Sequence, residues 1–516
     1  MTGASTAATS MPDAFAPAME KAFEMARYLD SAPALSATHS ELEGFVEEHG
    51  REVLRRMLQA HYELRAIAER PVRVEGSDRV LRTFRRPSTR PLLTLVGRVD
   101  VDRLAYQRRG VDGLHPMDAA LNLPSELYSH GVRRCAAERA ACSSFEEVSA
   151  ALRQTTGVAV GKRQVEELSA RAAQDFDDFY AAREVVDEQT RDLLVLSFDA
   201  KGIPMRRQDL RPETREAAET TQRNLSTRLT KGEKRNRKRM AEVAAVYTVA
   251  PYVRKPDDVL ADLRPVRGVQ RDRDRPRPTN KRVWASVTKS AETVIEDAFA
   301  EALRRDPDKK RHWVVLVDGS RIQLLGILKA AQKFGVKITL LVDVIHVVEY
   351  LWKAAYAFHP EGSKEAEAWV QQRFLRLLQG EHARVRENLR RNARARRLVG
   401  HARKVVARCI RYLKVLRSYL AYDAALAAGL PIATGVIEGA CRYLVKDRLE
   451  RTGARWSLEG AEAVLRLRAL RASGDFDAYW SFHLDREHDR RHRARYADAA
   501  PPLPFREFSR RLRRVK

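Results

Sequence analysis

Three short apolar runs in the middle of the chain each lead straight into an aspartate. Leu193-Leu194-Val195-Leu196-Ser197-Phe198 is followed by Asp199, Trp313 to Val317 by Asp318, and Lys337 to Val342 by Asp343. Near-continuous runs of this kind are the pattern of strands buried on both faces. Val243 to Tyr252 and Val283 to Val287 read as two further strands, and Ala291 to Arg304 and Arg321 to Phe334 as helices. The order β-β-β-α-β-α-β predicts a mixed α/β sheet. Open sheets of this class carry their sites at the carboxyl ends of strands. An aspartate there, with an apolar wall behind and a loop in front, suits a divalent-metal site. A single aspartate after a strand is as often a turn former or a helix N-cap. Asp343, which directly precedes a helix, is the most exposed to that reading.

Around this segment the chain is mostly helical. Residues 1–35, rich in Ala, Ser, Thr and Pro, are expected to be disordered. Residues 36–185 form a helical region: a long helix from Ser40 to Arg70, a small β module over 72–110, and a helical pair, Phe145 to Arg153 and Lys162 to Ala173. The pair has the outline of a helix-turn-helix, with Lys162 and Arg163 opening its second helix, and also that of a plain helical hairpin. The sheet region spans 190–358, an all-helical stretch 359–430, further helices 431–483, and a basic tail 484–516.

Charge narrows the partners. Lys plus Arg total 95 against 69 Asp plus Glu, a net charge of +26. Such a field attracts polyanions, and arginine's planar fork suits phosphate. Candidate DNA contacts are Lys162 and Arg163; Arg235, Arg237 and Lys238 in the basic run before the second strand; and Arg394, Arg396 and Arg397 in the helical stretch, whose basic face could equally be a solvated surface. Cys135, Cys142, Cys409 and Cys441 are scattered and form no CxxC pair, which reads as reduced thiols. No apolar run reaches the length of a membrane span. The first residues lack a basic-then-apolar leader, so a cytoplasmic, nucleoid-associated protein without a membrane partner is expected.

The motifs around the acids carry a resemblance. Ser197-Phe198-Asp199-Ala200-Lys201-Gly202 resembles the first-aspartate motif of DDE transposases, and Val315-Leu316-Val317-Asp318-Gly319-Ser320 the second. Asp343-Val344-Ile345-His346 is similar to the D-x-x-H element of Mutator-like and related bacterial transposases. Gly435-Val436-Ile437-Glu438-Gly439-Ala440 resembles the final helix bearing the glutamate, and Arg451-Thr452-Gly453-Ala454-Arg455-Trp456-Ser457 the R-x-G-x-R-W-S segment of the insertion-sequence group ISKra. The resemblance covers roughly residues 40 to 480.

It implies a ribonuclease-H-like core with an all-α insertion ahead of the glutamate. That insertion accounts for the 120 residues between Asp318 and Glu438, against 119 between Asp199 and Asp318. It implies that Asp199, Asp318 and Glu438 hold Mg²⁺ or Mn²⁺, two ions per site, and that His346 orients Asp318 or contacts the scissile phosphate. A buried helix histidine beside Glu349 and Tyr350 is the other reading of His346. Arg455 would contact DNA and Trp456 would stack on an unpaired base, core packing being the alternative for Trp456. Asp447, Glu450, Glu459 and Glu462 rival Glu438, and Arg442 is placed to pair with it. The cysteine pair common in relatives after Tyr106 is replaced by Gln107-Arg108-Arg109-Gly110, so no zinc is expected there.

The implied function is a transposase. It would bind the terminal inverted repeats of its element in double-stranded DNA, cleave the ends and transfer the 3′-OH ends to target DNA, working as a homodimer or higher oligomer. A ribonuclease-H-like nuclease that does not join strands, or a non-catalytic DNA-binding derivative, are the alternatives.

Overall fold

The computed structural model describes residues 13–184, 190–220, 233, 236–262, 275–451 and 453–505. Arg235, one of the expected DNA contacts, lies outside them. The chain divides into two compact units, Met1–Ala181 with Asp477–Lys516, and Ala182–Phe476.

In the first unit, β1 (Phe84–Thr94), β2 (Gly97–Arg108) and β3 (Val111–Leu114) form an antiparallel meander. Leu92, Val99, Val101, Met117 and Leu123 are its buried core. The helix His39–Ala68 lies against β2. A capping box starts it: Glu41 N–H donates to the Thr38 hydroxyl, and the Glu41 carboxylate accepts from Thr38 N–H. The expected disorder of residues 1–35 is corrected over its described part. Ala16–Leu29 is a helix, tied to the long helix by the Tyr28–Phe45 ring contact at 4.1 Å and by Arg56 donating to the Pro17 carbonyl at 3.0 Å. Tertiary packing overrides a composition that reads as loose. The helical pair is present as Phe145–Thr156 and Lys162–Ala172, turning at Gly157 with φ +69°.

The boundary expected at residue 483 is also displaced. The helix Phe476–Arg491 continues through it, and from Asp477 onward it belongs to the first unit. Its Tyr479 hydroxyl donates to the Ala172 carbonyl, and its buried His483 meets Asp175 at 2.7 Å. The described part of the expected basic tail is thus structured to beyond Arg491.

The second unit is built on a five-stranded mixed sheet in the order β6-β5-β4-β7-β8: β4 (Leu193–Pro204), β5 (Lys238–Val249), β6 (Thr279–Ser286), β7 (Trp313–Val317) and β8 (Ile338–Val342). β4, β5 and β6 pair antiparallel, whereas β4, β7 and β8 run parallel. All five residues of β7 are buried, as its unbroken apolar run requires of an inner parallel strand. The helices Ala291–Arg305 and Arg321–Phe334 make the crossovers. Val344–Ala355 follows β8, then Lys364–Leu378, His382–Ala395 and Gly400–Val415 fill the expected helical stretch. The chain returns through Gly435–Ala440, continues as a π-helical turn over Cys441–Lys446, and reaches Leu458–Ser473, which packs on β6. π turns inside helices recur at functional sites.

Candidate metal centre

Strand register puts the three aspartates in one row. Paired residues of β4 and β7, from Leu194↔Trp313 to Ser197↔Leu316, differ by 119, as do Asp199 and Asp318. Those of β7 and β8, from Trp313↔Ile338 to Val317↔Val342, differ by 25, as do Asp318 and Asp343. Asp318 and Asp343 follow the last residues of their strands. Asp199 does not: β4 runs on to Pro204 against β5, with Asp199 opposite Val243, although its parallel pairing to β7 ends at Ser197. The first aspartate therefore sits inside a long strand, past the end of its parallel ladder.

Each carboxylate is fixed locally. Asp199 Oδ1 accepts from Ala200 N–H at 2.7 Å, and Oδ2 accepts from the Cys441 thiol at 3.1 Å. Asp318 Oδ1 accepts from Ser320 N–H at 2.7 Å across Gly319, whose φ of +91° favours glycine. A Cβ on Gly319 would also stand 2.7 Å from Leu416 Cδ1. Asp343 is fully buried and does cap its helix, Oδ1 accepting from Ile345 N–H at 2.8 Å. Its Oδ2 accepts from the amide and hydroxyl of Thr434, one turn before Glu438. Glu438 is exposed in the first turn of Gly435–Ala440. Arg442 turns to Asp447 at 3.8 Å, not to Glu438 as expected, because the π turn breaks the four-residue phase that would pair them.

Asp343, His346 and Glu438 offer ligand atoms that all lie within 4.8 Å of one another. His346 is half-buried one turn into Val344–Ala355. Among the described residues this is the group able to hold a metal ion as it stands; Asp199 and Asp318 are outside it. They are nevertheless its electrostatic neighbours. Burial raises the Asp318 carboxyl, Asp199 raises it further and His346 opposes the rise. Burial pushes Asp343 up to about 6, with His346 opposing and Glu438 adding to the rise.

A fifth carboxylate escaped the reading of the sequence. Glu242 lies on β5 opposite Ala200, next to Asp199's own partner. Burial raises its carboxyl; Arg211 and a hydrogen bond from Gln323 oppose the rise, and Asp199 and Asp318 add to it. The one signal available was the charged residue immediately ahead of the Val243 run.

None of Asp199, Glu242, Asp318, Asp343 and Glu438 forms an ion pair with a lysine or arginine of the described residues. Two of the rivals of Glu438 contrast with this. Glu450 pairs with Lys238 at 2.5 Å, and buried Glu462 accepts from the Ser286 hydroxyl and from Val287 N–H. Arg211 acts on Glu242 from beyond ion-pair distance, and in a chain of net charge +26 the other four acids, gathered without an ion pair, take their counter-charge from elsewhere. Carboxylates with one imidazole are donors for a divalent cation.

Among the expected DNA contacts, Lys162, Arg163, Arg237, Arg394, Arg396, Arg397 and Arg455 are exposed. Lys238 is corrected, since it is half-buried and spent on Glu450. Trp456 is corrected as well. It is 6% exposed, its indole N–H donates to the Leu449 carbonyl at 3.0 Å, and the Arg448 guanidinium covers its ring at 4.7 Å. No face is left for a base.

No protein-family model matches the chain, and no curated protein matches it. No helix of the described residues is long and apolar enough to cross a membrane.

Proposed function

We propose that the chain is a DDE-type transposase of the insertion-sequence class resembling ISKra, with a ribonuclease-H-like core. In this reading it cuts phosphodiester bonds at the ends of its element and joins the freed 3′ ends to target DNA. The observation that carries it is the gathering of five carboxylates, none in an ion pair with a lysine or arginine of the described residues, in a strongly basic chain. Its supports are a mixed sheet, a helical stretch after β8, and a later helix bringing Glu438 back toward Asp343.

Asp199 and Asp318 on the sheet and Glu438 from the helix are oxygen donors of the kind Mg²⁺ or Mn²⁺ takes, and would hold the ions. A bound divalent ion supplies activation of water or a 3′-hydroxyl and stabilises the leaving oxygen. The protein's own part is to hold the carboxylates apart without hydrogen-bonding them to each other, and to present exposed arginines, Arg394, Arg396, Arg397 and Arg455 among them, to the phosphate backbone. Two element ends processed together call for a homodimer or larger assembly on DNA.

The test is cleavage and strand transfer in vitro on DNA carrying the element's ends, with Mg²⁺ or Mn²⁺. Cut and joined products are expected, and Asp199→Ala and Asp318→Ala abolish both. Full activity in either variant removes the site assignment, and cutting without joining turns the reading into that of a nuclease.

A further inference from the structure

We infer that Asp343, His346 and Glu438 form a cation position, with Glu438 common to it and to the Asp199–Asp318 site, that prefers a transition-series divalent ion such as Mn²⁺ to Mg²⁺. The inference rests on the reading of this sheet edge as a metal centre and goes beyond it in the residues and the ion.

The spacing of the three groups is that of a ligand shell. The three ligand atoms lie within 4.8 Å of one another, yet no hydrogen bond or ion pair joins any two of the groups. Groups that converge to bond each other would stand near 3 Å. Opposite ligands of an ion held at roughly 2.1 Å are about 4.2 Å apart, so the observed cluster is close to the size of an ion's shell.

The fold holds the cluster in place. Asp343 cannot swing away, because both its oxygens are fixed by Ile345 and Thr434. Val344 N–H donates to the Ile432 carbonyl at 2.9 Å, and the buried Tyr422 hydroxyl donates to the Val342 carbonyl at 2.7 Å. These bonds join the start of the His346 helix to the segment that delivers Glu438. Glu438 is exposed, so its side chain can close the remaining distance.

Donor chemistry selects the ion. Two carboxylates and a neutral imidazole balance a divalent charge beside a fully buried acid. Mg²⁺ strongly favours oxygen ligands, whereas an imidazole nitrogen gains affinity along the transition series. Asp199, Asp318 and Glu242 offer oxygen alone, so one sheet edge carries two kinds of donor set.

The test is Mn²⁺ binding to the chelator-treated full-length chain, followed by electron paramagnetic resonance with Mg²⁺ as competitor and no DNA present. The wild type is expected to hold one Mn²⁺ against excess Mg²⁺, with the nitrogen modulation of a bound imidazole. His346→Ala should weaken that Mn²⁺ by roughly tenfold or more. His346→Glu should keep divalent binding but let Mg²⁺ compete, and this variant covers the event that the alanine does not fold. Asp199→Asn should leave the nitrogen signature in place. If Mn²⁺ binds without nitrogen modulation, or is lost in Asp199→Asn and kept in His346→Ala, the inference fails while the metal-centre reading survives. If the wild type binds neither ion, both fall.

Discussion

The hydroxyl of Tyr412 donates to the main-chain carbonyl of Asp318 at 2.9 Å. Its ring stacks on Tyr350 at 3.9 Å, one turn beyond His346 on the same helix. A residue of the helix Gly400–Val415 therefore ties the second aspartate to the helix that carries His346. Tyr412→Phe keeps the stack and removes one hydrogen bond. The expected cost is about 1 kcal/mol in urea unfolding, with reduced metal-dependent cleavage at unchanged DNA affinity. Equal loss of DNA binding and cleavage would make Tyr412 a DNA contact instead.

Cys441 is the partner of Asp199 Oδ2, and burial, reinforced by that carboxylate, holds its thiol far above the ordinary range. Burial pushes Cys409 up to about 12. A thiol that stays protonated is a poor nucleophile. Iodoacetamide at pH 8 is thus expected to label exposed Cys142 in the native protein and to reach Cys409 and Cys441 only after unfolding, as peptide mass spectrometry can read. Cys441→Ser keeps a donor to Asp199 and should retain activity that Cys441→Ala loses. If the two variants behave alike, the hydrogen bond does not matter to Asp199.

Much of this centre was legible in the sequence, and its limits have physical causes. Apolar runs mark buried strands, so the positions of Asp318 and Asp343 at strand ends could be read residue by residue. β4 and β5 could not be delimited, because past Phe198 and before Val243 they keep pairing with each other through polar residues. That hid Glu242 and made Asp199 look terminal. The approach of Glu438 to Asp343 and His346 depends on a helix returning after a long helical stretch, and local pattern says nothing of such distances. Asp343 had an N-cap reading beside the D-x-x-H one; it is an N-cap, and the same carboxylate faces the cluster. The amino-terminal helix was missed because its stability comes from Phe45 and Arg56 on another helix.

Trp456 offers a direct comparison of packing with recognition. Main-chain bonds with Pro204 and Arg206 hold its segment beside β4, and its indole lies under Arg448. Trp456→Phe should cost about 1 kcal/mol for the lost indole bond, and Trp456→Ala about 3–5 kcal/mol. DNA affinity of the phenylalanine variant should equal that of wild type at every salt concentration. The exposed neighbour behaves oppositely: Arg455→Ala should leave the melting temperature unchanged, weaken binding across all sequences and lower the salt slope by about one. A Trp456→Phe variant that folds normally but binds DNA weakly would restore the stacking role.

Buried groups in the two units respond to acid with opposite signs. His130 accepts from Arg133 through Nδ1 at 3.2 Å and meets the Asn122 carbonyl through Nε2 at 2.8 Å, an arrangement for the neutral ring. Burial pushes His130 and His115 down to about 4 from the ordinary 6.5. The unfolded chain thus binds protons that the folded first unit refuses. Stability from these rings is complete above pH 6.5 and is lost as pH falls toward 4, by about 1.4 kcal/mol per pH unit for each. Asp343 has the reverse sign. Raised by burial from 3.8 to about 6, it favours the folded second unit at low pH, and that contribution is lost as pH rises through 6. Chelated protein taken from pH 7.5 to 5.5 should lose hydrogen-exchange protection, after correction for intrinsic rates, around His130 and His115 in the first unit, where Glu69, pushed up to about 7 by burial, opposes them, and gain it around Asp343. Divalent cation at pH 7.5 should reproduce the gain, because the ion takes the place of the proton. A His130→Gln variant with the wild-type acid slope would refute the histidine assignment, and an Asp343 region indifferent to both pH and cation would refute the other.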